Sequence, residues 1–399
     1  NMALSKIDVA NMVTGAVPVA NGGTALTSGF VNGSDPRPLS KPLIINGNMA
    51  VAQRGTSFAD VGDGVYTLDR FETSKSTDGA VTVTQETLSS GNAYNAGFRT
   101  ALKCDVTTAD GTLASNQRFF IQQIIEGQNL QVLKFGTSNA EKLTLSFWVK
   151  ATKTGTHVVR MYAYDDDRSA SISYTVSSSD TWEHKVLNFP ADTTGVIDNN
   201  NGQGIQIAWA MGAGASFQSG TLQTTWGSNS AANDFVGQVN GLDSTSNNFH
   251  LTGVQLEVGE FSSTTLPPFQ FESIGDNLER CKRYHQLWGA PSDTGVFAIS
   301  ARTISSNRLD SETIMFNPAM RAAPSVAQGG NATVANYYVQ YDGNAVTTGS
   351  GSSFALSNAQ SESTRFRLTS NASISSNHIA NIQSGGSDGT QFLIFDAEL

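Results

Sequence analysis

Charge is scarce in this chain. Only 15% of its 399 residues are Asp, Glu, Lys or Arg, where soluble proteins average about 25%. The basic sign is the scarcer, with 24 Lys and Arg against 34 Asp and Glu, for a formal net charge of −10. Such a chain lacks the clustered cations by which a nucleic-acid binder displaces counterions, and it has no attraction for an anionic bilayer. Cysteine is nearly missing too. Cys104 and Cys281 stand far apart, form no metal-ligand spacing and no disulfide framework, and read as buried reduced thiols. No run reaches the roughly 20 apolar residues of a membrane-spanning helix, so no membrane insertion is expected. Lys6 and Asp8 interrupt the first apolar residues, which predicts no signal peptide and a chain made in a cytoplasm.

Signatures of chemistry are missing as well. The five histidines, His157, His184, His250, His285 and His378, have no zinc-site spacing. No phosphate-cradling Gly-x-x-x-x-Gly-Lys occurs, and the Gly-rich stretches sit with Ser and Asn in loops that turn chemistry explains. Glycoside hydrolysis needs two carboxylates in a cleft, but among 34 acidic residues abundance alone singles out no pair. The chain is read as a non-enzyme.

What the sequence does hold is glycine, 38 of them, with abundant Ser, Thr and Asn. That composition suits short strands and many turns and is poor for helices. Leu143, Leu145, Phe147 and Val149 alternate with Thr144, Ser146, Trp148 and Lys150; Ile205, Ile207, Trp209 and Met211 repeat the pattern, as do Ile172, Tyr174, Val176 and Val254, Leu256, Val258. Period-two runs between turn clusters predict strands with one apolar face, which must stack sheet on sheet. The expected fold is all-β: an extended arm over 1–42, a jelly-roll-like sandwich over 43–272, a bridging helix over 273–289 and a smaller β-sandwich over 290–399. The helix is drawn with Asp276 as cap, Glu279 reaching back, Leu278, Cys281, His285 and Trp288 along one side, and Gly289 as its stop. In the arm, Leu4, Ile7, Val9, Met12 and Val13 make a short apolar face that predicts packing on sister copies or on a larger assembly.

Three groups of side chains stand out as candidate sites. If the polar side of the 143–150 strand faces outward, Trp148 and Lys150 are exposed; on the next run Arg160, Tyr162 and Tyr164 point out while Val159, Met161 and Ala163 point in. Flat aromatic surface beside a cation and hydroxyls suits a sugar ring; the rival reading is a subunit interface, where Trp and Tyr are also enriched. Asp165, Asp166 and Asp167 form the tightest acidic cluster. Calcium takes roughly six to eight oxygens, so a structural calcium is the one ion they suggest, with a solvated turn the preferred reading and no other cofactor expected. Asp69 and Arg70, with Arg54 upstream, predict an ion pair inside the first sandwich.

Particular phrases then stop being generic. Val17-Pro-Val-Ala-Asn-Gly-Gly-Thr-Ala-Leu26 resembles a short element of phage tail-fibre proteins. Ile45-Asn-Gly-Asn-Met-Ala-Val-Ala-Gln-Arg-Gly-Thr-Ser-Phe58 with Tyr66-Thr-Leu-Asp-Arg70 resembles the opening of a recurrent phage virion domain. Phe249-His-Leu-Thr-Gly-Val-Gln-Leu-Glu-Val-Gly259 and Glu279-Arg-Cys-Lys-Arg-Tyr-His285 resemble its end, and Phe316-Asn-Pro-Ala-Met-Arg-Ala-Ala-Pro-Ser-Val326 with Phe395-Asp-Ala-Glu-Leu399 the C-terminal module. The chain thus resembles bacteriophage tail-fibre and virion appendage proteins with a carbohydrate-binding-module-like jelly-roll domain. The resemblance implies a virion location, a homotrimer, other virion proteins as partners through the arm, and host attachment through a surface glycan. The short arm departs from the long shaft of a large tail fibre and leaves tail, collar and head positions open. A purely architectural head, collar or capsid-decorating fibre and, behind it, a tail-spike polysaccharide depolymerase are the alternatives.

Overall fold

Between residues 41 and 258 the chain folds as its alternation dictates, into thirteen strands. They are β1 (Ser57–Phe58), β2 (Val65–Tyr66), β3 (Glu72–Ser76), β4 (Ala80–Thr87), β5 (Thr100–Thr108), β6 (Arg118–Glu126) and β7 (Leu143–Ala151). After them come β8 (Gly155–Ala163), β9 (Arg168–Val176), β10 (Glu183–Phe189), β11 (Gln203–Ala213), β12 (Gly227–Ser228) and β13 (Asn248–Val258). The computed structural model describes residues 41–288, 298–329, 337–342, 344–347, 352–384 and 392–399. The apolar arm residues Leu4, Ile7, Val9, Met12 and Val13 lie outside these, as does Gly289.

Two antiparallel sheets stack to make this sandwich. One has six strands in the order β1-β4-β5-β13-β7-β10, the other seven in the order β12-β9-β8-β11-β6-β3-β2. Between them lie the residues that alternation pointed inward. Leu143, Leu145, Phe147 and Val149 of β7 are fully buried, as are Ile205, Ile207 and Trp209 of β11. The Phe147 ring meets Trp209 edge-on at 5.9 Å and Tyr174 at 5.2 Å. Each such side chain contributes roughly 1.5–3 kcal/mol by leaving water, so the layer between the sheets holds the domain together.

β13 reaches this core from both ends only because its phase slips midway. Pairing with β7 shifts register between Thr252 and Gln255, and Gly253 sits there with φ of +61°. Phe249 and Leu251 before the bulge and Val254 and Leu256 after it are all buried. A β-carbon at 253 would stand 2.6 Å from the Phe98 ring and 2.9 Å from Trp148. Only glycine fits.

The helix is shorter than its sequence pattern suggests. It spans Ile274–Lys282 (α2, after a single turn α1 at Asn92–Asn95). Its cap is Ser273, whose Oγ accepts from the Asp276 N–H at 3.1 Å and donates to the Asp276 carboxylate at 2.6 Å. Asp276 is therefore the third residue of a capping box rather than the cap. Cys281 is buried as expected, but His285 and Trp288 are not helical. They belong to β14 (His285–Trp288), which pairs residue by residue with β23 (Phe392–Asp396). Pairing with a segment so distant in sequence overrides the local helical period.

The remaining strands are β15 (Ala298–Ser305), β16 (Arg308–Met315), β17 (Ser325–Gly329), β18 (Tyr337–Tyr341), β19 (Asn344–Thr347), β20 (Ser353–Ser357), β21 (Ser363–Thr369) and β22 (Ile379–Ser384). A three-stranded sheet, β14-β23-β17, packs on a seven-stranded one, β19-β18-β22-β15-β16-β21-β20. Leu393 and Phe395 of the first meet Leu309, Phe366, Leu368 and Ile382 of the second in one buried cluster. The chain is thus all-β, two sandwiches with one short helix between. Among the described residues no helix is long and apolar enough to cross a membrane.

Residues Pro42–Leu399 hold together as one unit, and buried ion pairs explain why. Glu126, fully buried at the end of β6, accepts from Arg283 Nε and Nη2 at 2.7 and 2.8 Å and from the Tyr284 hydroxyl at 2.5 Å. Arg70 lies over the Tyr284 ring at 3.6 Å and pairs with Glu398. The expected internal pair is met in part, by Arg54 and Asp69, while Arg70 pairs with the far end of the chain. Arg54 stands 4.0 Å from Asp69 but makes its close contacts with Asp396 and Glu398, at 2.8 and 3.0 Å. Arg54 and Arg70 of the first sandwich are thus matched by carboxylates from the far end of the chain, which no local reading can pair.

Candidate functional site

The exposed aromatic residues do not form one surface. β7 and β8 follow each other in sequence, yet β7 belongs to the six-stranded sheet and β8 to the seven-stranded one. The turn at 152–154 crosses between layers. Trp148 and Lys150 therefore face outward on one side of the sandwich, and Arg160, Tyr162 and Tyr164 on the opposite side. Period-two alternation tells which face a side chain takes but not which sheet carries the strand.

On the six-stranded side the candidates are committed to their neighbours. Trp148 stacks on His184 with ring centroids 5.0 Å apart and covers Gly253. Lys150 lies 5.4 Å over the Trp182 ring and 3.8 Å from Glu86. The Glu86 carboxylate also meets His250 Nδ1 at 2.7 Å. These groups join Leu88, Phe98 and Trp182 in a packed outer cluster. Beside it a narrow cleft runs between β13 and the segment at 269–272. Val254, Gln255 and Glu257 form its floor, and Ile44, Gly47 and Asn277 line it. Gln255 Nε2 donates to Glu257 at 2.9 Å, and burial raises the Glu257 carboxyl above its ordinary value. This cleft marks where the entry segment at 42–48 rests on the sheet: Val254 N–H donates to Gly47 O at 2.9 Å.

The seven-stranded side is half covered. Phe217 and Phe235, from the segment after β11, pack on Phe120, Val158, Ala208 and Ala210. The other half stays open, and there polar and aromatic side chains converge from four adjacent strands. Tyr162 and Tyr164 of β8 stand edge to face with ring centroids 4.8 Å apart. Arg160 lies 5.3 Å from the Tyr162 ring and is anchored by Asp234 at 2.6 Å and by the Gln206 side-chain oxygen. Gln206 of β11 pairs with Tyr162 in register, and its Nε2 donates to the Tyr164 hydroxyl at 3.0 Å. Farther along, Gln122 of β6 donates to Glu72 of β3 at 2.9 Å.

These hydrogen bonds leave defined capacity facing outward. Tyr162 donates its proton to Asp167 at 2.9 Å, so its oxygen remains an acceptor. Tyr164 accepts from Gln206, so its own O–H remains a donor. Burial, with Glu72 nearby, pushes the Tyr164 phenol up to about 12 despite the opposing pull of Arg160. Burial also raises the Glu72 carboxyl and, with Asp167, the Tyr162 phenol. Both phenols stay protonated across physiological pH. The result is a surface of two nearly perpendicular rings, fixed amides and a guanidinium held in place. Gln206, Gln122, Glu72 and Asp234 were not foreseen from sequence. Their signal was present in one case: Gln206 is the polar residue inside the Ile205–Ile207 alternation.

The acidic triplet serves the turn. Asp166 accepts from the Val196 N–H at 3.1 Å, Asp165 from the Asp198 N–H at 2.9 Å, and Asp167 from Tyr162. Among the described residues no three His, Cys, Asp or Glu side chains gather as a metal ion requires, and the bonds of Asp165, Asp166 and Asp167 are those of a turn, the reading preferred over a calcium loop. Both cysteines are buried and unpaired, and burial pushes their thiols upward.

No protein-family model matches the chain, and no curated protein matches it. Among solved structures it is similar to the enzymatically active domain of tailspike protein 4 of bacteriophage CBA120, at 14% identity and a TM-score of 0.28, over 50% of this chain and 21% of that one. It is also similar to a putative sugar binding protein from Bacteroides thetaiotaomicron, at 14% identity and a TM-score of 0.29, over 55% of this chain and 100% of that one. A family 11 carbohydrate-binding module from Clostridium thermocellum, in complex with a mixed-linked tetrasaccharide, gives 11% identity and a TM-score of 0.26 over 53% of this chain and 99% of that one.

Proposed function

We propose that this chain is a phage virion appendage protein that holds a surface glycan on the open half of its seven-stranded sheet, without turnover, and works as one of three identical copies. The observation that carries the glycan reading is the convergence of half-exposed Tyr162 and Tyr164 with Gln206 and Arg160 on the outer face of one sheet, each fixed by a partner before any ligand arrives. Rings of this kind cover the C–H face of a sugar while the fixed amides and hydroxyls order its hydroxyl groups. Binding without hydrolysis is supported by the occupied carboxylates: Asp234 is taken by Arg160 and Ser169, Asp167 by Tyr162, and Glu72 by Gln122. The virion location and the trimer follow from the sequence resemblance. A single site of this openness suits millimolar affinity, roughly −4 kcal/mol, and presenting several copies together raises the effective affinity by about 10²–10⁴.

The test is binding of the intact protein to host surface polysaccharide. Tyr162→Ala and Tyr164→Ala are expected to lower monovalent affinity about tenfold each, equivalent to ~1.4 kcal/mol, with unchanged thermal stability. Release of new reducing ends from the polysaccharide would replace this reading with the depolymerase. Electron density of the virion that buries Tyr162 and Tyr164 between subunits would replace it with the architectural fibre.

A further inference from the structure

The second sandwich carries a face that the proposed function does not use. After residue 289 the chain has no lysine and five arginines. Arg321 is spent on the joint, where it donates to the Ala397 and Glu398 carbonyls at 2.7 Å each. The other four all lie on the outward side of three adjacent strands. Inward positions of β15, β16 and β21 are filled by Ile299, Ala301, Leu309, Ile314, Phe366 and Leu368, so Arg302, Arg308, Arg365 and Arg367 take the opposite face. Arg302 pairs in register with Asp310, and Asp310 with Arg367, which sets three charged residues in a row across the sheet.

Asp310 organises this row without neutralising it. Its carboxylate accepts from Arg308 Nε at 3.0 Å and from Arg367 Nε at 2.9 Å, so one negative charge is shared between two guanidinium groups. Those bonds hold its carboxyl down to about 2, so the arrangement is fully charged at any physiological pH. Arg302 and Arg365 are exposed and have no acidic partner among the described residues. Glu312 is the one further acid on this part of β16, leaving four cations against two anions in a chain whose net charge is −10. Arg302 and Arg367 are two strand spacings apart, roughly 10 Å, and Arg365 lies two residues from Arg367, roughly 7 Å.

The pattern decides what kind of partner fits. Protein interfaces place apolar side chains at the centre and charge at the rim. This face is the reverse. Its centre is the row Arg302, Asp310 and Arg367, which Ile379 ends on one side and Ala355 on the other, while the exposed Ile304 and Met315 sit toward strand ends. Cations repeated every 7–10 Å on a flat sheet, roughly, match a polymer with an anionic group on every one or two units, and planar guanidinium forks suit phosphate or carboxylate oxygens. We infer that the outer face of β15, β16 and β21 is a second binding site, for a polyanionic surface glycan bearing phosphate or carboxylate groups. It is separate from the aromatic face of the first sandwich and needs neither that reading nor its ligand.

The experiment uses the full chain, inorganic polyphosphate and polygalacturonate as probes, and neutral dextran as control, with binding followed against salt. The wild-type protein should bind a charged probe at 50 mM salt and lose it as salt rises, on the order of 0.7–0.9 in log–log slope per neutralised anion. The double variant R302S/R365S should bind at least tenfold more weakly and show a shallower slope. Both residues are exposed and unpaired, so the variant should keep its thermal midpoint; Y162A should leave polyanion binding unchanged. Absence of polyanion binding by the wild type, or full binding by the double variant, would overturn the assignment. So would a change of molecular mass in light scattering for the double variant, since that would make this face a contact between copies.

Discussion

Trp148 and Phe98 leave no room for a β-carbon at position 253, and that crowding fixes both the phase of β13 and the seat of the outer aromatic cluster. Gly253→Ala is expected to destabilise the chain by about 3 kcal/mol, combining backbone strain of ~1–3 with overpacking of ~1–3. Chemical denaturation would show it as a lower midpoint with unchanged slope. The same position shows where the sequence was legible. Val254, Leu256 and Val258 were correctly read as one face, and Leu143 to Val149 likewise, because alternation records burial directly. Tyr162 and Tyr164 were read as outward-facing and stand on the open half of their sheet. Their grouping with Trp148 was not right, because the choice of sheet is made by a turn whose residues, Thr152, Lys153 and Thr154, carry no mark of it.

At the level of elements, the segment from 273 to 288 holds the clearest lesson. Ser273-Ile-Gly-Asp276 is a capping box, and the helix it starts was legible; its end was not. His285 to Trp288 is drawn out as a strand by β23, and the carboxylates that accompany β23, Asp396 and Glu398, complete the charges of Arg54 and Arg70. A pH dependence follows from the same joint. Burial alone would raise Glu126 and Asp396, but the hydrogen bonds of Arg283 and Tyr284 to the first, and of His285 and the Arg54 charge to the second, leave both below their ordinary values of 4.5 and 3.8. The unfolded chain then takes up protons first as the solution is acidified. The stabilisation is therefore complete above those ordinary values and is lost as pH falls through the depressed ones. Glu126→Gln should lower stability at pH 7 by roughly 2–3 kcal/mol and flatten the acid limb of a plot of thermal midpoint against pH. An unaltered acid limb would remove Glu126 from this role.

At the scale of the molecule, two sandwiches that meet through buried Arg70, Glu126 and Glu398 should unfold together. Calorimetry of the wild type is expected to give one transition, and Arg70→Met, which removes the stack on Tyr284 and one of the two cations that hold Glu398, should separate it into two. A single unchanged transition in that variant would place the coupling elsewhere. The position of β23 has a consequence for how the protein is made. It is the middle strand of its sheet, with β14 on one side and β17 on the other, yet it leaves the ribosome long after both. Until it emerges, two strands wait with unsatisfied edges, and the second sandwich has nothing to close around. Any product cut short upstream of Phe392 would keep those edges exposed, a ready target for proteases.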